Sequence, residues 1–113
     1  MTISFNGFQE TAATFKAGTV VGEGMPVKIA ESFTADNCAD ADEFCGVALK
    51  ARGGFVSVQM SGFVTLPYSG TAPSPGYNTL AADGAGGVKL AAGGRKLLVL
   101  ETDALAGTVG VLL

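Results

Sequence analysis

At 113 residues, with ten acidic and seven basic side chains and a net charge of −3, the chain is sized for one domain and lacks the basic balance that nucleic-acid recognition needs. It has no histidine, so a Ser-His-Asp triad is impossible and the commonest general base and metal ligand is missing. Charged residues make up only 15% of the chain, against about 25% in typical soluble domains, which reads either as a Gly/Ala-rich composition or as surface covered by other subunits or a partner.

The chain opens with "MTISFNGFQETAATFK", which has neither the basic start nor the apolar middle of a signal peptide. Folding in a cytoplasm is therefore the expectation. Ile3, Phe5 and Phe8 alternate loosely, either as a first strand or as an arm that adds to a neighbouring sheet edge. "MPVKIA" (25–30) reads as a strand with Val27 and Ile29 on one face. "ADNCADADEF" (35–44) reads as a solvated loop with room for a short helical turn. Counted from Asp36 as a calcium loop, it puts Cys38 third, Ala41 sixth and Val47 twelfth, so the ligand pattern fails. The Cys38–Cys45 spacing matches no zinc motif, and in a cytoplasmic protein the pair reads as free thiols.

"CGVALKA" (45–51) is a second strand, with Val47 and Leu49 on one face. The next stretch alternates longest. Val56, Val58, Met60, Gly62, Val64 and Leu66 share one side; Phe55, Ser57, Gln59, Ser61, Phe63 and Thr65 share the other. The pattern predicts one half-buried strand with the aliphatic side inward and Gln59 outward, with Gly62 marking a bulge or bend. Pro67 stops it. "YSGTAPSPGY" (68–77) follows as a proline-stiffened loop, with Tyr68 and Tyr77 flanking Pro73 and Pro75. "GVKLA" (87–91), "KLLVLETDA" (96–104) and "TVGVLL" (108–113) complete the set, the second apolar enough to be central.

Strands about every ten residues, separated by "GEG", "ARGG", "ADGAGG" and "AAGGRK", predict an all-β fold: a small antiparallel barrel or sandwich with at most short helical turns. The expected organisation is an arm or first strand over 1–14 and one barrel-like domain over 15–113. Ser69-Gly70 lacks the leading glycine of a nucleophile elbow, and "GEGMPV" lacks the third glycine of a dinucleotide site. No enzyme, metal or cofactor is expected, and no apolar run reaches the ~20 residues of a membrane span.

Five motifs carry a resemblance: G-x-P-V-x-I (24–29), F-x-G-V-A (44–48), V-x-V-x-x-x-G-x-V-x-L-P (56–67), L-x-x-D-x-x-G-x-V (80–88) and a final strand ending in leucine. Together, over about residues 15–113, they resemble the small phage head-decoration, or capsid-cement, proteins, prophage copies included. The resemblance implies a structural role: a compact β-barrel-like homotrimer on the outside of the virion's expanded head. There it would clamp the major capsid protein against the pressure of packaged DNA. Its partners would be that protein and its own copies, with no nucleic acid or membrane. Ile3, Phe5, Phe8, Tyr68, Pro73, Pro75 and Tyr77 are the candidate contact residues. A tail, baseplate or carbohydrate-binding β-module is the alternative, and would show an exposed aromatic platform.

Overall fold

The computed structural model describes residues 11–18 and 21–113. The regular elements among them are all strands: β1 (Thr11–Ala17), β2 (Pro26–Glu31), β3 (Thr34–Asn37), β4 (Gly46–Arg52), β5 (Phe55–Ser61), β6 (Phe63–Pro67), β7 (Gly76–Ala82), β8 (Val88–Leu90), β9 (Arg95–Asp103) and β10 (Thr108–Leu112). Five close into a barrel in the order β1-β3-β2-β4-β5, and five form a sheet in the order β6-β10-β9-β7-β8. Among the described residues, pairs of named strands are antiparallel except β1 with β3. The all-β class is the one the alternation predicts, and β9 is central in its sheet, as its apolar composition predicts. An isolated bridge from Tyr68 to Val88 ties the chain just beyond β6 to β8, joining the sheet's two outer strands.

The expected single strand over 55–66 is two strands in different layers. Gly62 stands between them at φ +97°, a conformation that costs glycine little and other residues much. Gln59 holds the break. Its Nε2 donates to the carbonyls of Ser61 (3.1 Å) and Phe63 (3.0 Å), on either side of Gly62. The Leu113 amide donates to the Gly62 carbonyl at 3.0 Å. Gln59 is therefore buried, at 3% exposure, where alternation alone put it in solvent.

Two other face assignments differ. Val27 is fully buried, but Ile29 is exposed. Strand β2 pairs with β4 only through Pro26 and Val27, so beyond that point Ile29 borders an open cleft. Val47 is buried, but Leu49 is exposed. Ala48 pairs with Val58 and Lys50 with Ser57, leaving Leu49 as the extra residue of a bulge that turns it outward. Strand β1 crosses the expected boundary at residue 14, so residues 11–14 belong to the barrel.

Each layer has its own apolar core. Val27, Ala35, Ala48, Val56 and Val58 fill the barrel. Leu66, Leu80, Val88, Leu97, Val99, Val109 and Val111 fill the other, with Phe44 and Val47. Strand β4 joins them, sending Val47 to one core and Ala48 to the other. Residues 35–37 of the acidic stretch expected to be a solvated loop or helical turn instead belong to β3, and 38–45 form an irregular clasp between the layers. Ala41 and Asp42 exchange backbone bonds with Ala82 at 2.8 and 2.9 Å. Asp42 pairs with Lys28 on the barrel, Asp40 pairs with Lys89 on β8 (both 2.7 Å), and Phe44 is a core side chain.

The turn before β8 is organised by one carboxylate. Asp83 accepts from the amides of Ala85 (2.7 Å) and Gly87 (3.0 Å) and from the Ser69 hydroxyl (2.6 Å). Partial burial pushes the Asp83 carboxyl up, but the Ser69 hydroxyl and the amides outweigh it and hold the group below its ordinary value. A depressed carboxyl stabilises the fold above its unfolded-state pKa, and that contribution is lost as pH falls through the folded value. Asp83→Asn should thus cost about 1–2 kcal/mol at neutral pH and nearly nothing once acid has protonated the wild type. Urea unfolding at both pH values measures this; an equal deficit at the two would show that charge is not the cause.

Candidate interaction surfaces

A cleft of about 570 Å³ lies where the clasp passes between β2 and β9. Its polar groups serve the fold. The Arg95 guanidinium donates to the Cys45 carbonyl at 3.0 Å, joining β9 to the start of β4. The Asp42 carboxylate takes the Lys28 ammonium and the Ala39 amide (2.8 Å), which hold its carboxyl below the usual range. Hydrogen bonding to Asp42, followed by its charge, raises Lys28. Both cysteines are free thiols. Burial pushes Cys38 up to about 11, with the Asp42 charge adding to it. Burial also raises Cys45, against its own backbone hydrogen bond and Arg95. Both are therefore protonated at neutral pH and weak nucleophiles. Among the described residues no group of His, Cys, Asp or Glu could hold a metal ion.

The expected contact residues separate. Ile3, Phe5 and Phe8 lie outside the described residues. Pro73 is fully buried and its carbonyl accepts from the Thr102 hydroxyl at 2.6 Å, so it anchors the loop rather than offering a contact. Tyr68 is half-buried, packed on the core of the second sheet. Pro75 and Tyr77 are exposed, Tyr77 at 69%. The Asn78 amide donates to the Ser74 carbonyl (2.6 Å) and the Gly76 carbonyl (3.2 Å) at the end of the loop, and the Ser69 amide donates to the Val88 carbonyl (2.9 Å) at its start.

Tyr77 does have apolar neighbours, which reading the loop by itself misses. Directly paired residues point to the same side of a sheet. Tyr77 pairs with Leu98, Leu98 with Leu112, and Leu112 with Phe63. Their chain neighbours Leu97, Val99 and Val111 point into the core, so this row crosses the outer face of β7, β9, β10 and β6. Lys96 lies above the Tyr77 ring, 5.3 Å from its centroid. At the other end the Phe63 ring and the Glu101 stem lie over Gly110, where a Cβ would meet them at 2.8 and 3.0 Å. The fold and this face define a small all-β protein with an apolar band on one sheet and no gathered catalytic set among the described residues. No protein-family model matches the chain, and no curated protein matches it.

Proposed function

We propose that this chain is a structural head-decoration protein that binds the outer surface of an expanded phage capsid as a homotrimer. It acts by contact and not by catalysis. The observation that carries the reading is the band Tyr77–Leu98–Leu112–Phe63 on the outer face of a sheet, in a chain with only 15% charged residues. Tyr77 is exposed and Leu98, Leu112 and Phe63 are half-buried, so the row leaves apolar surface that a symmetric assembly would bury. The motif resemblance over 15–113 supplies the partner, the major capsid protein, and the location on the virion exterior. We assign the band to contact between copies.

Expanded heads stripped of decoration test the proposal. The purified protein should co-sediment with them to a fixed stoichiometry, and Leu98→Asp should keep the fold while abolishing self-association and lowering occupancy. Failure of the wild type to bind heads would remove the capsid from the reading. Unchanged self-association of Leu98→Asp would move the subunit contact off this face.

A further inference from the structure

The chain has seven Lys and Arg side chains, and the fold gives four of them partners. Lys28 pairs with Asp42, Lys89 with Asp40, Arg95 with the Cys45 carbonyl and Lys96 with the Tyr77 ring. Lys16, Lys50 and Arg52 have none among the described residues.

These three are together. Arg52 pairs with Phe55 and Phe55 with Lys16; one row along, Lys50 pairs with Ser57 and Ser57 with Thr14. Both rows point outward, because the alternate residues Val56 and Val58 fill the barrel. All three cations are exposed, Phe55 is 54% exposed, and the face holds a depression of about 230 Å³ lined by Thr14, Lys50, Arg52, Phe55, Val56 and Ser57. The Glu23 carboxylate beside this hairpin accepts the Ala51 amide at 3.3 Å. Lys50 and Arg52 stand two residues apart on β4, with Lys16 across β5 on β1; like charges gathered on one face repel, so stability does not explain their grouping.

We infer that this barrel face binds a short acidic segment of a partner protein. Carboxylates would lie on Arg52, Lys50 and Lys16, with apolar atoms against Phe55 and hydroxyl donors from Thr14 and Ser57. Arg52 offers the planar fork that takes a carboxylate through two bonds. The size of the face sets the length. Two rows across three strands cover roughly 7 by 10 Å, room for two or three charges. A longer polyanion would run onto the rest of a chain whose net charge is −3. The inference rests on the decoration reading for the partner's identity, which it narrows to an acidic patch on the shell's outer surface.

Two probes test it, stripped expanded heads and poly-L-glutamate, each with wild type and with Lys16→Glu/Lys50→Glu/Arg52→Glu. Circular dichroism and melting confirm the fold; if the triple variant does not fold, the Gln triple replaces it. Charge reversal should weaken binding to both probes by roughly 10- to 100-fold, and rising salt should weaken wild-type binding alone. Equal head binding by variant and wild type would overturn the inference and leave the decoration reading standing. If the wild type fails to bind heads, that reading falls, and poly-L-glutamate alone decides: binding lost on charge reversal supports the face, and no binding overturns it. Stronger binding to anionic lipid vesicles or a single-stranded oligonucleotide than to poly-L-glutamate would overturn the assignment to an acidic protein.

Discussion

Val58→Asp and Gln59→Asp, neighbours on opposite sides of β5, should both unfold the protein at far lower urea than the wild type needs. Val58 is fully buried in the barrel, and a carboxylate there would be desolvated without a partner. The expected cost is about 3–5 kcal/mol, a large part of the ~5–15 kcal/mol that holds a domain. Simple alternation would make Gln59→Asp harmless. The structure makes it severe, because a carboxylate cannot donate to the Ser61 and Phe63 carbonyls and would itself be buried beside them. Losing two bonds and burying a charge should cost about 3 kcal/mol or more. Thr65→Asp, at an exposed position on the same alternating side, should stay within about 0.5 kcal/mol of wild type. A Gln59→Asp protein as stable as Thr65→Asp would mean that the amide faces solvent and that Gly62 is held by something else.

Gln59 marks the limit of what the sequence conveys. Period-two alternation identifies Val56, Val58 and Leu66 as core because burial on one side of a strand leaves that trace. It carries no sign of the chain leaving one layer for another at Gly62, since Val64 and Leu66 continue the same spacing inside a second core. The glycine signals a bend, but only the tertiary context shows that the bend changes sheets. Leu49 was hidden for a related reason: a bulge shifts the register by one residue without altering composition. The acidic clasp misled because its charges look solvated until Lys28 and Lys89, distant in sequence, come beside them.

The surfaces were legible in part. The loop with Pro73, Pro75 and Tyr77 stood out by residue type, but the use of each depends on packing: Pro73 turned inward and Tyr77 outward. Leu98, Leu112 and Phe63 each sit at an alternate position of a recognisable strand. The missing signal was register, which places four residues from four strands in one line. The cations Lys16, Lys50 and Arg52 look scattered along the chain for the same reason. Both proposed faces are thus products of strand pairing, and each depends on the layers being joined as they are.

That joint predicts a large effect from a small change at Gly46. It is the first residue of β4, buried where the barrel meets the second sheet. Its backbone has no positive φ, so any penalty for a side chain is spatial and not conformational. A Cβ there would run into the Gln59 carbonyl oxygen, with Val58 Cγ1 at 2.7 Å. A side-chain methyl can swing away; a carbonyl in the β4–β5 ladder cannot move without parting the strands. Gly46→Ala should therefore cost about 3 kcal/mol, in the range of overpacked cores. Gly53→Ala offers the contrast. Gly53 stands in the β4–β5 turn at φ +58° with nothing within 4 Å of its Cβ position, so strain alone should cost about 1 kcal/mol. Adding Val58→Ala separates the two clashes at Gly46. If the carbonyl is the obstacle, Gly46→Ala should remain about as costly in the Val58→Ala background as in the wild type. If the penalty vanishes there, the Val58 methyl was the obstacle, and β4 and β5 can part slightly at the joint without loss.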